Sequence, residues 1–156
     1  MKNKGFTLIE LIGVIVILGV LAVTAAPKFM NVQGDARKAT LQGVEGALKS
    51  AVGIVYGKAA LNGVEKGKAV VEVNNKSIAV IDGTPVASKA NLDHIMQTDI
   101  HVFNGITNGQ TGPHVVVFGF QKTATAVYES QCYLQAANIE NNSETTFETT
   151  IFSDGC

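Results

Sequence analysis

Hydrophobic and polar positions follow two different rules along this chain. From Phe6 to Ala26 almost every side chain is apolar, with no period, and the only charged one is Glu10. As a helix, that run is about 30 Å long and matches a membrane hydrocarbon core. Beyond Asp35 the pattern becomes periodic. Leu41, Val44, Leu48, Val52, Val55 and Ala59 recur at spacings of three and four, while Arg37, Lys38, Gln42, Glu45 and Lys49 fall mostly off that stripe. The pattern predicts one helix from about Thr7 to about Ala60, roughly 80 Å long. Its first half is apolar all round and its second half is amphipathic. Pro27 and Gly19 weaken it locally, and Gly13, Gly43, Gly46, Gly53 and Gly57 each lower its propensity by about 1 kcal/mol relative to Ala. Asn62-Gly63 ends it by turn chemistry.

Downstream the period falls to two. Residues 69–73 and 76–81 read as strands around Asn74-Asn75, a hairpin, and Asp82-Gly83 is a further turn. Ser88 caps a short helix to about Gln97, with Leu92, Ile95 and Met96 as its apolar face. Residues 104–113 read as a Gly/Asn/Thr-rich loop. Residues 115–120, 124–134 and 145–152 read as three more strands. A long helix followed by mostly antiparallel strands is α+β, with a sheet on the amphipathic stripe.

Composition adds limits. The 156 residues suit one domain, with 46% hydrophobic and 16% charged residues, and the apolar excess lies at the N-terminus. A net charge of −1 argues against a nucleic-acid surface. The chain lacks a P-loop, a dinucleotide fingerprint and a GxSxG elbow. His94, His101 and His114 lie in or near expected loops without a Cys/His cluster, so no metal, cofactor or catalytic group is expected. Asn141-Asn142-Ser143 is formally a glycosylation sequon. Cys132 and Cys156 are the only cysteines; in an exported domain they suggest one disulfide, contributing roughly 3–4 kcal/mol by the chain-entropy model.

Glu10 decides between accounts of the N-terminus. An acidic group at the centre of a membrane helix costs about 2.5–3.5 kcal/mol. A signal peptide fits Lys2 and Lys4 and the small residues Thr24-Ala25-Ala26, but Pro27 would follow the cut and Glu10 would sit in the apolar region. A plain membrane anchor, with Lys2 and Lys4 holding the N-terminus in the cytoplasm, leaves Glu10 unexplained.

Gly5-Phe6-Thr7-Leu8-Ile9-Glu10, after a short basic leader, resembles the processing motif of type IV prepilins. The resemblance implies cleavage between Gly5 and Phe6 by a prepilin peptidase, methylation of the Phe6 amine, and pairing of Glu10 with the amine of Phe6 in a neighbouring subunit. It divides the chain into a leader, 1–5; a transmembrane and filament-core helix, 6–34; and a pilin domain, 35–156. It implies a helical homo-oligomeric filament, a pilus assembly machinery driven by an ATPase, an inner-membrane precursor with its C-terminal domain in the periplasm, and an extracellular fibre. Removing the leader leaves 10 basic against 13 acidic side chains, a charge of −3. In this family the segment from Gly19 to Pro27 can lose helical structure in the filament; a kink at Pro27 is the plainer outcome.

Residues 18–29, 40–43 and 53–59, with Ser130-Gln131-Cys132-Tyr133, resemble the mannose-sensitive haemagglutinin pilins of Vibrio-like bacteria. This implies a major pilin serving adhesion and biofilm formation, with a Cys132–Cys156 bond around an exposed loop. The alternatives are a type II secretion pseudopilin or a minor pilin, and, in another class, a membrane-anchored periplasmic binding protein. Type II major pseudopilins generally hold the C-terminal loop with calcium, so the cysteines favour a pilin.

Overall fold

The computed structural model describes residues 5–107, 110–141 and 144–156, with side chains throughout these except at 26–31, 107 and 110–113. Lys2, Lys4 and the sequon's Asn142 and Ser143 lie outside them. The chain divides into two compact units between Ala36 and Arg37, each described by itself. The element order is α1, Leu8–Leu61; β1, Lys68–Val73; β2, Lys76–Ile81; β3, Thr84–Pro85; α2, Lys89–Ile95; β4, His101–Thr107; β5, Gln110–Gly119; α3, Ala124–Glu129; β6, Tyr133–Asn141; and β7, Glu144–Phe152. The fold is α+β, as expected, with two antiparallel sheets ordered β1-β2-β3 and β4-β5-β6-β7.

In the first unit, Leu8–Ala25 is helical, apolar and exposed along its length, long and apolar enough to cross a membrane. The helix continues through Pro27 without interruption.

In the second unit, the amphipathic stripe of α1 covers both sheets in turn. Leu41 and Leu48 pack with Leu92 of α2 and with Val116, Phe118, Leu134 and Ala136 of the four-stranded sheet. Two to three turns after Leu48, Val55 and Ala59 pack on Val71, Ile78 and Val80 of the three-stranded sheet. The helix then stops as expected. Gly63 has φ +68°, its N–H donates to the Ala60 carbonyl, and the Val64 N–H reaches back to the Ala59 carbonyl. These are the two bonds of a Schellman motif, with Val64 folded onto Ala59.

The hairpin around Asn74-Asn75 has Val73 opposite Lys76, and both turn residues have positive φ, the type I′ geometry that suits strand twist. Asp82-Gly83 makes a second such turn between β2 and β3. Gly83 is also required by contact, since a Cβ there would lie 2.8 Å from Tyr56 Cδ2. Ser88 caps α2, its Oγ accepting from the Asn91 N–H at 3.3 Å.

Three expectations fail. Residues 104–113 are not a loop: β4 and β5 form a hairpin there. Pro113 falls between the paired Thr111 and Val116, where the ladder is irregular, so its missing N–H breaks no regular pairing. Residues 124–134 are not one strand. Thr123 accepts from the Ala126 N–H and caps α3, and the chain turns at Gln131, φ +50°, before β6. Val127 of α3 buries against β5, where a Cβ on Gly119 would lie 2.7 Å from Val127 Cγ1. Finally, residues 135–141, expected in an exposed loop between the cysteines, belong to β6, while 145–152 is the expected strand. β6 and β7 pair from Tyr133–Phe152 to Asn141–Glu144.

Two polar side chains tie the layers. Asn138 accepts from the Ala87 N–H at 2.6 Å and donates to the Pro85 carbonyl at 3.1 Å. Asp82 accepts from the N–H of Gly67 at 2.7 Å and of Thr145 at 2.8 Å.

Candidate functional site

The residues singled out by sequence lie at two ends of the chain. At the N-terminal end, Gly5, Phe6 and Thr7 precede the helix, and Phe6 is 83% exposed. The Gly5–Phe6 peptide is therefore outside the helical hydrogen-bond ladder, and no described atom would touch a Cβ on Gly5. A peptide in that state can enter a protease cleft without unwinding a turn.

Thr7 and Glu10 then start the helix. The Thr7 N–H donates to Glu10 Oε2 at 2.9 Å, the Thr7 hydroxyl donates to the same oxygen at 2.7 Å, and the Glu10 N–H approaches Thr7 Oγ1 at 3.4 Å. This is a capping box, in which the first residue and the one three further on satisfy each other's backbone donors. The expected pairing of Glu10 with a Phe6 amine leaves this capping role out. The signal was present in the Thr-x-x-Glu spacing before an apolar run.

The box sets the electrostatics of the site. The carboxylate is exposed, stands beside the positive end of the helix dipole, and is held by groups one residue away from Phe6. No Lys, Arg or His lies between Phe6 and Pro27, so the nearest basic side chain further along the helix is Lys28. An ammonium placed on Phe6 would be the closest basic group within the apolar run.

Gly19 is helical, and no described atom would meet a Cβ there. Thr24, between Gly19 and Pro27, turns its hydroxyl back onto the Leu21 carbonyl at 3.0 Å. Pro27 brings no N–H to the Val23 carbonyl.

At the other end, Cys132 and Cys156 are bonded, with Cα atoms 4.8 Å apart. The last residues fold back over the turn before β6. The Gly155 N–H donates to the Gln131 carbonyl at 3.1 Å, and a Cβ on Gly155 would overlap the Ser130 carbonyl oxygen. Cys132 is buried in the core beside α1 and the four-stranded sheet.

The three histidines do not converge. His94 lies in the last turn of α2, His101 begins β4 and His114 is exposed on β5. Among the described residues no group of three His, Cys, Asp or Glu side chains could hold a metal ion.

Residues 1–26 match the family model of the prokaryotic N-terminal methylation motif. The chain is also similar to the type IV narrow pilus major component PilA5 of Thermus thermophilus, at 44% identity over 54 residues. That match spans 35% of this chain and 47% of the relative, about half of its length. No solved structure matches. The chain therefore carries an N-terminal methylation motif and is similar over about a third of its length to a type IV pilin.

Proposed function

We propose that the chain is the precursor of a major structural subunit of a type IV pilus. Residues 1–5 are the leader, 6–34 the membrane and filament-core helix, and 35–156 the exported domain. A prepilin peptidase cuts between Gly5 and Phe6, and the Phe6 amine is methylated. An assembly machinery in the inner membrane then packs the subunit into an extracellular helical fibre that serves adhesion and biofilm formation, in the manner of the mannose-sensitive haemagglutinin pilins.

One observation carries this reading: Glu10 lies in the matched methylation motif, and no basic side chain lies between Phe6 and Pro27. Cleavage supplies a basic group at Phe6, and methylation leaves the nitrogen basic. Neither charge is tolerable alone in a low-dielectric bundle, where desolvation costs several kcal/mol per ion. Pairing Glu10 with the Phe6 amine of a neighbouring copy relieves both, and a slipped subunit forgoes that relief. The pair therefore sets axial register, as a buried polar residue does in a coiled coil. The Cys132–Cys156 bond supports a pilin over a type II pseudopilin. Gly19 and Pro27 would mark where the helix melts during packing. The role requires no cofactor, metal or catalytic residue of this chain.

The test is to express the full chain with its assembly machinery, shear the cells, and take intact and N-terminal fragment masses of the fibres. The expected chain begins at methylated Phe6 and carries the mass of one disulfide. A chain beginning at Met1, or after Ala26, overturns the proposal.

A further inference from the structure

We propose that the free edge of β1 pairs antiparallel with the same edge of a second copy of this chain, centred on Val70. In its sheet β1 has β2 on one side and no strand on the other among the described residues. The two-residue turn at Asn74-Asn75 makes Val73 and Lys76 a hydrogen-bonded pair, and such pairs alternate along an antiparallel ladder. Val71 and Ala69 therefore also bond toward β2, while Lys68, Val70 and Glu72 turn their backbone groups outward. Ala79, opposite Val70, bears this out. Its N–H goes to Asn91 Oδ1, and its carbonyl accepts from Asn91 Nδ2 and the Val86 N–H, all away from β1. The side chains of Lys68, Val70 and Glu72 are exposed too, Val70 to 64%.

Charges on a strand edge usually block pairing. Here they block it in one direction and favour it in the other. Parallel pairing in register would set Lys68 on Lys68 and Glu72 on Glu72. Antiparallel pairing about Val70 sets Lys68 opposite Glu72 twice and Val70 opposite Val70. Opposite charges and β-branched residues attract across strands, and like charges repel. The segment Lys68-Ala69-Val70-Val71-Glu72 is thus complementary to itself in one register, with all three outward residues in hydrogen-bonding positions.

An apolar groove lies beside the same edge. It has a volume of about 340 Å³ and is lined by Ile54, Gly57 and Leu61 of α1 with Val73 and Asn74 of the hairpin, and by two charged side chains, Lys58 and Glu72. Ile54 is 66% and Leu61 86% exposed. A two-fold axis normal to the joined sheet brings both grooves to one face, where they shield each other.

Such a contact is isologous and closes on itself, so it cannot propagate a helix. In a fibre of the kind proposed above, and resting on that reading, it would join subunits of different fibres side by side.

The test is sedimentation of the full chain in detergent micelles, comparing wild type, Lys68→Glu, Glu72→Lys, the double reversal and Val70→Pro. The wild type is expected to dimerise. Each single reversal should weaken the dimer by about tenfold, because it converts two attractive pairs into like-charge pairs. The double reversal should restore it. Val70→Pro should abolish it by removing an outward N–H that the chain itself does not use. Glu10→Val, which abolishes the proposed fibre contact, should leave this dimer unchanged, so the two ideas fail separately. Circular dichroism and an intact Cys132–Cys156 bond confirm folding of each variant. A monomeric wild type, a dimer indifferent to the edge charges, or a double reversal as weak as the single ones overturns the proposal.

Discussion

Thr7 and Glu10 hold each other at the first turn of α1, with the Thr7 N–H and hydroxyl both directed at Glu10 Oε2. Glu10 thus has a role inside its own chain as well as the one proposed between chains. The two can be separated chemically. Glu10→Gln keeps a side-chain oxygen that can accept the Thr7 N–H, but carries no charge. If Glu10 acts by neutralising an amine, fibre yield should fall at least tenfold in this variant, since the lost pairing is worth more than about 1.4 kcal/mol. Leader cleavage, read by mass, should continue. Fibres at wild-type yield would instead assign Glu10 to capping alone.

Asp82 predicts a pH dependence for the second unit. The Gly67 N–H chiefly, and then the Thr145 backbone N–H, hold its carboxyl below the usual carboxylate range. Glu45 is lowered as well, first by its bond to Lys49 and then by the Thr149 hydroxyl. A depressed folded pKa means that the unfolded chain takes up protons first as acid is added. The stabilisation is therefore complete above the ordinary carboxylate range, about pH 4, and is lost as pH falls through the lower folded values. The melting temperature should be flat near neutrality and decline below about pH 4. Asp82→Asn retains one acceptor oxygen of two. It should melt lower than wild type near pH 7 and approach it in acid, and parallel melting curves would show that the Asp82 charge does not matter.

Leu48 is fully buried on the face of α1 that meets the four-stranded sheet. Leu48→Ala should destabilise the second unit by about 3 kcal/mol, through lost burial and the cavity left behind. Ser50, two residues along and exposed, provides the control, and Ser50→Ala should change stability by less than about 0.5 kcal/mol. Urea unfolding of both variants checks the difference.

Legibility followed the locality of the cause. The α1 stripe, the stop at Asn62-Gly63, the hairpin at Asn74-Asn75 and the Ser88 cap rest on periods and turn residues within a few positions, and they were readable. In the second sheet 115–120 and 145–152 read as strands and lie in β5 and β7, whereas β4, most of β6 and α3 were not readable. Ala124 to Leu134 can be written as either period, and the helix is selected by the Thr123 cap and by the space above Gly119 that admits Val127. β4 hides behind Asn104 and Gly105, residues of low strand propensity, and only its pairing with β5 makes it a strand. β6 looked like a polar loop because its far half is exposed, and the pattern shows only once β7 lies beside it. At the N-terminus, the motif was legible as a pattern, whereas the capping role of Glu10 needed the geometry of the first turn.

The disulfide supplies the last prediction. Cys132 and Cys156 are 24 residues apart, so closing that loop stabilises the second unit by about 3 kcal/mol in the chain-entropy model. Most of the loop is nevertheless the β6–β7 hairpin, which nine paired positions hold in register independently of the sulfurs. Cys132→Ser with Cys156→Ser should therefore lower global stability by about that amount while leaving the hairpin formed in the native state. The local loss should fall on residues 153–156, whose backbone is otherwise tied back to 131 by the Gly155 N–H. Amide exchange should show faster exchange there and at 130–132, with protection kept along β6 and β7. Gly155→Ala should move the same amides in the oxidised protein, because its Cβ would meet the Ser130 carbonyl. Uniform loss of protection through β6 and β7 would show that the bond holds the hairpin itself, and that the sheet pairing is secondary to it.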